Sequence, residues 1–263
     1  MRVLMPGVAA RSDEAGAGPH RRLLRTRPAS WTLLVAGSVV ILLGAATAFA
    51  ATWLATTSES STEYTALVPG TLVRVELSVA AGDVEVLGGA TADVLVNRTD
   101  TSTFGHSPQE RRIVSDGVLR IESTCPTLVV GECESDYRLT VPETVPLTIS
   151  AQHGAIRLVA FRGAVSLSTA GGDVAVDAFC GATLDATARS GDIEVIATCS
   201  PDRLSFLTAS GDVAVRVPPG LYNVEAESIS GEADVRGVTD EPGAPFRIQA
   251  STNSGDVTVE AGS

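Results

Sequence analysis

The sequence predicts an all-β fold: a repetitive β-solenoid, a β-helix-like coil of about twenty residues per rung, following one N-terminal transmembrane helix. Three observations predict it. A Gly-Asp-Val-like core recurs at near-constant steps. Apolar and polar residues alternate between the recurrences. One uncharged apolar stretch precedes the repeats.

The repeat cores are AGDVEV at Gly82, HGAIRL at Gly154, GGDVAV at Gly172, SGDIEV at Gly191, SGDVAV at Gly211, SGEADV at Gly231 and SGDVTV at Gly255. From Gly154 the steps are 18, 19, 20, 20 and 24 residues. Nine residues after a core glycine stands a second turn former: Gly163, Gly181, Ser200 or Gly220. Each rung therefore splits into two arcs. The arcs alternate with period two, as in Val174, Val176 and then Leu184, Ala186, Ala188, so each is a strand with one buried face. A β-sandwich of hairpins also gives short, evenly spaced strands. The coil is preferred because a sandwich does not need the same residue at the same phase of consecutive units.

The N-terminal elements follow from charge. Residues 1–30 carry six arginines against Asp13 and Glu14, an Arg-rich tail placed in the cytoplasm; all 19 basic residues of the chain are arginine. Residues 31–53, Trp31 to Trp53, hold no charge and are long enough to span a bilayer. A tryptophan stands at each end, and the positive flank lies upstream, so the rest of the chain is expected outside the cell membrane. A signal peptide cleaved after Ala50 is the competing reading, from Ala48-Phe49-Ala50. Both readings export the same domain. Residues 54–69, rich in Thr, Ser and Glu, read as a stalk, with the alternative that the part near Tyr64–Val68 is already a strand; the domain proper is expected over 70–263.

The first half of the domain is less regular. Asp116-Gly117 reads as the turn of a hairpin. Pro142 and Pro146 limit strand pairing near the start of the regular rungs. Asn97-Arg98-Thr99 matches the N-x-T glycosylation pattern.

The four cysteines test the register. Cys180 and Cys199 each stand eight residues after a core glycine, so stacked rungs put them in one column about 4.8 Å apart, within disulfide reach. Cys125 and Cys133 pair by remainder. Phe161 and Phe179 share a neighbouring phase.

The run from Tyr137 to Val176, followed by ARSGDIEV and TASGDVAV, resembles the bacterial putative-adhesin domain family. That group has no assigned function and includes LiaG-like envelope proteins. The resemblance covers roughly residues 70–260. It implies an exported or membrane-anchored β coil with no catalytic residues to carry over, and a link to envelope-stress signalling.

The chemistry is otherwise sparse. The net charge of −12 argues against nucleic acid. Asp83, Asp173, Asp192, Asp212, Glu232 and Asp256 follow the core glycines, and in register they form an acidic column. Two readings stand. Asp173, Asp192 and Asp212 are weak Ca²⁺ ligand candidates, the one cofactor considered; alternatively each acid caps its own turn. His20, His106 and His153 have no ligand spacing. The expected role is non-catalytic: envelope interaction, adhesion or scaffolding, through an envelope partner or self-association at a terminal rung formed by residues 252–263, unless Pro242 and Pro245 shield that end. The alternative is a surface enzyme acting on envelope polysaccharide.

Overall fold

In the computed structural model, residues 43–48, 60–103, 107–126 and 132–262 are described. Residues 43–48 are helical, and Thr47 returns its hydroxyl to the carbonyls of Leu43 and Gly44, both at 3.0 Å. They belong to one compact unit, residues 1–52, and the rest to another, 53–263. The remainder of the expected transmembrane segment lies outside the described residues. Among those described, no helix is long and apolar enough to cross a membrane.

Alternation decides the rest. The strands are β1 (Ser60–Val68), β2 (Arg74–Ala81), β3 (Val84–Gly89), β4 (Val94–Ser102), β5 (Gln109–Ser115), β6 (Val118–Thr124) and β7 (Cys133–Pro142). The regular part follows with β8 (Leu147–His153), β9 (Ile156–Val159), β10 (Val165–Thr169), β11 (Val174–Phe179), β12 (Thr183–Ser190), β13 (Ile193–Ala197), β14 (Arg203–Ser210) and β15 (Val213–Val217). The chain closes with β16 (Leu221–Ser230), β17 (Ala233–Arg236), β18 (Thr239–Asp240), β19 (Phe246–Ser254) and β20 (Val257–Ala261).

Two ten-stranded sheets face each other. One runs β1-β4-β7-β3-β9-β11-β13-β15-β20-β17; the other runs β18-β16-β19-β14-β12-β10-β8-β2-β6-β5. Each rung gives one strand to each sheet, and consecutive rungs are parallel and in register. Val174 stands beside Ile156 on one side and Ile193 on the other, and Leu184 stands between Val165 and Leu204. These inward columns are the core, with Phe161 and Phe179 fully buried. A parallel coil buries every rung's apolar face against its neighbours, which no rung could do alone.

Two expectations need correction. Within residues 54–69, read as a stalk, Ser60–Val68 is strand β1, paired antiparallel with β4 over nine residues and ending on buried Val68. Nine ladder pairs outweigh the polar composition. The second concerns rung order. The rung that contains residues 252–263, β19/β20, is not the outermost one; it lies between β14/β15 and β16/β17. The chain builds β16/β17 one place further out and returns to fill the gap. The long 24-residue step from Gly231 to Gly255 supplies the connection. At the other end the rungs are also out of chain order: β2/β3, formed first, is flanked by β6/β7 on one side and β8/β9 on the other.

The expected hairpin is present. β5 and β6 pair antiparallel, with Asp116 at φ 52° and Gly117 at φ 75°, as a type I′ turn requires.

Candidate interaction surface

The acidic column is an inter-rung ladder. Asp192 donates its backbone N–H to Asp173 Oδ1 at 2.9 Å, Asp212 to Asp192 at 2.8 Å, Asp256 to Asp212 at 2.7 Å and Glu232 to Asp256 at 2.8 Å. At the other end, Ala155 donates to Asp83, and Asp83 donates to Asp136, each at 2.8 Å. Each carboxylate thus caps the corner of the next rung, not its own turn. Ala155 interrupts the ladder because it offers no carboxylate to Asp173. Among the described residues, no group of three or more His, Cys, Asp or Glu side chains is placed to hold a metal ion.

The corner itself explains the glycines. At Gly191, φ is +130°, and a Cβ would lie 2.2 Å from the carbonyl oxygen of Gly172. No side chain fits there. The corner carbonyls accept hydroxyls from inside: Thr208 reaches Gly191 at 3.1 Å, Thr252 reaches Gly211 at 2.9 Å and Ser228 reaches Gly255 at 2.7 Å. Buried threonines in an apolar interior are thereby satisfied.

Cys180 is bonded to Cys199 with their Cα atoms 4.9 Å apart, across adjacent rungs. Cys125 is bonded to Cys133 at 6.0 Å. The sequence separations are 19 and 8 residues.

Asp136 escaped the sequence reading. Its segment, Ser135-Asp136-Tyr137, keeps the aspartate and the alternation but replaces the glycine. It is the rung of β7. Glu134 beside it titrates above the usual carboxylate range, first through burial and then through the nearby carboxylates of Asp136, Asp83 and Glu132.

A depression of about 780 Å³ lies over the outer face of this region. Arg138, Arg157, Glu85, Asp83 and Asn97 line it. Its cations are committed: Arg138 Nε lies 2.7 Å from Glu85, and Arg157 lies 2.7 Å from Asp177.

The two ends of the coil differ. One is plugged by a buried polar network that sequence reasoning missed. Arg98 on β4 bonds Asp100 at 2.5 Å and Glu110 on β5 at 3.0 Å. Arg112 meets Glu110 at 2.7 Å, Ser135 donates to Asp100 at 2.7 Å and Tyr137 donates to Glu110 at 3.0 Å. The Tyr64 ring covers the Arg98 guanidinium at 4.5 Å. Burial works to lower the pKa of Arg98, but Asp100 and Glu110 outweigh it and the net shift is upward. Burial and Glu110 push the Tyr137 hydroxyl well up. The available signal was Arg98 and Asp100 at inward phases of an alternating run.

The other end is open. β17 ends one sheet, and β18 covers β16 only at Leu221 and Tyr222. The Val224 N–H is held by Asp240 at 3.0 Å. Beyond it, the parallel register turns the N–H and C=O groups of Ala226 and Ser228 away from β19, and those of Ala233 and Val235 away from β20. The inward apolar side chains of this rung are incompletely covered: Val235 is 39% exposed, and Val224 and Ala226 are only partly buried.

The Toastrack DUF4097 family matches residues 70–260, most of the chain. The chain belongs to that family. This agrees with the resemblance to the putative-adhesin group and covers the same residues. Several solved structures are also similar to the chain. A "putative cell adhesion protein" from Clostridium sporogenes ATCC 15579 is 12% identical, with 77% of this chain and 100% of that chain covered, at a TM-score of 0.48. A "putative adhesin" from Bacteroides fragilis NCTC 9343 is 10% identical, with 78% and 97% covered, at 0.43. A "putative lipid binding protein" from Parabacteroides distasonis ATCC 8503 is 13% identical, with 76% and 97% covered, at 0.32. No curated protein matches.

The Toastrack match takes in both ends of the coil, but not all of the plug. Arg98, Glu110 and Tyr137 fall within the matched residues, whereas β1 and its Tyr64 precede them.

Proposed function

We propose that this protein is a membrane-anchored, extracytoplasmic Toastrack module that works by binding and not by catalysis, accepting an extended strand of an envelope partner at the open end of its coil. The anchor is residues 31–53, with the N-terminus in the cytoplasm. The observation that supports this reading is the contrast between the ends. One end closes its core with a hydrogen-bonded charged plug. Among the described residues, the other leaves unpaired backbone groups on both sheets of one rung, next to half-covered apolar side chains. Such an edge is a template for strand addition, where main-chain bonds supply affinity and alternate side chains supply selectivity.

The test uses the full chain in its native membrane. Ala226→Pro removes an outward N–H at a position where an edge strand tolerates proline. A partner that crosslinks to the wild type and is lost with Ala226→Pro supports the reading; identical crosslinking by both sinks it. Protease digestion of intact cells checks the orientation: the domain beyond residue 60 should be cut from outside.

The depression on the β3–β7–β9 face supports a second reading, action on envelope polysaccharide, because acids and arginines share one strand face there. Release of new reducing ends from peptidoglycan or an anionic wall polymer by the purified chain, abolished by Arg157→Ala, would favour it. The pairing of both arginines with carboxylates is why binding is preferred.

A further inference from the structure

The open end specifies the chemistry of what docks on it, and this inference rests on the strand-addition reading above. Residues 221–241 carry Glu225, Glu227, Glu232, Asp234, Asp240 and Glu241 against a single cation, Arg236. That cation is already bound to Asp234. On the free part of β16, the alternation is sharp. Val224 and Ala226 point inward, whereas Glu225 and Glu227 stand exposed on the outer face of the sheet, flanking the unpaired backbone of Ala226.

We infer that the occupant is an extended segment of another protein whose alternate residues are apolar and basic: apolar side chains facing the end of the core, Arg or Lys facing Glu225 and Glu227. Opposite charges on facing cross-strand positions stabilise a pair, and like charges destabilise it. This rule also selects against a second copy of the same edge. Antiparallel pairing of β16 with itself about Ala226 sets Glu225 of each copy against Glu227 of the other. The acidic rim further attracts a basic segment before contact, in a salt-dependent way.

Fluorescence polarisation with the full chain in detergent micelles tests this. The probes are three labelled ten-residue peptides that alternate valine with arginine, serine or glutamate, plus an arginine peptide with N-methylated backbone amides. The arginine peptide should bind about tenfold tighter than the serine peptide at low salt, the sum of a few modest surface pairs, and the glutamate peptide should not bind. Glu225→Arg with Glu227→Arg should reverse that order. Equal binding of the arginine and glutamate peptides, or a double variant that leaves the order unchanged, overturns the proposed chemistry even where Ala226→Pro still abolishes binding and strand addition stands. An arginine peptide that binds equally well after N-methylation, or to Ala226→Pro, is held by charge alone, and that result overturns strand addition itself. The N-methyl probe keeps this arm readable should Ala226→Pro fail to fold. Concentration-dependent association of the full chain by light scattering, removed by Ala226→Pro, would assign the edge to a second copy and overturn the proposal.

Discussion

The Oδ1 atom of Asp192 accepts the backbone N–H of Asp212 at 2.8 Å, one rung away. The bond needs an acceptor, not a charge. Asp192→Asn keeps an acceptor and should cost less than about 0.5 kcal/mol, whereas Asp192→Ala should cost about 1 kcal/mol, the net worth of one such bond. Urea denaturation measures both. Because Oδ1 is engaged along the column, melting temperature should be the same with Ca²⁺ and with chelator; a rise with Ca²⁺ would revive a metal role for Asp173, Asp192 and Asp212.

Gly191 offers a sharper contrast with Gly171. A Cβ at Gly191 meets the Gly172 carbonyl oxygen at 2.2 Å, at a φ that side chains rarely adopt; at Gly171 the nearest atom is His153 Nδ1 at 3.5 Å. Gly191→Ala should lose more than about 3 kcal/mol or fail to fold, and Gly171→Ala should stay within about 1 kcal/mol. Thermal melts of the two variants decide it.

The Cys180–Cys199 bridge closes a loop of roughly twenty residues. Chain entropy puts its worth at about 3 kcal/mol. Replacing both cysteines with alanine should lower stability by about 2–4 kcal/mol without changing the strand content seen by circular dichroism.

Arg98→Met should be the costliest side-chain change in the plug. It leaves Asp100 with the Ser135 hydroxyl but no cation, and Glu110 with Arg112 as its one cation, in a buried site. Breaking one member of a buried ionic group costs about 3–5 kcal/mol. Chemical denaturation should show this loss, and proteolysis should open β1, β4 and β5 first.

Glu134 gives a pH signature. Its pKa is raised in the folded protein, so the folded state holds the proton more tightly than the unfolded chain. Its contribution is favourable in acid and is lost as pH rises through and just above its ordinary value of 4.5. Glu134→Gln should therefore stabilise at pH 7, by no more than about 0.5 kcal/mol because the group is largely exposed and screened. The gain should vanish near pH 4.

Much of the coil was legible in the residues. The acids after the core glycines fall in one column because each holds the same phase of a rung. The Cys180–Cys199 register follows from the same arithmetic. The plug was not legible. Arg98 and Asp100 look like surface residues in a strand, and only the approach of β5 from a distant part of the chain brings Glu110 to them. Asp136 was hidden because its rung has no corner glycine.

Local periodicity alone determined which faces are buried, where the corners fall and why glycine occupies them, since these are constraints a rung imposes on itself and on any neighbour. Tertiary structure alone decided which rung lies next to which. The β14/β15 edge offers the same backbone groups and the same apolar columns to β16/β17 as to β19/β20, so the strand pattern cannot choose between them. The connection through Gly237–Pro245 allows the later rung to enter the gap, and the acidic, half-covered rung of Glu225 and Glu227 is left at the end.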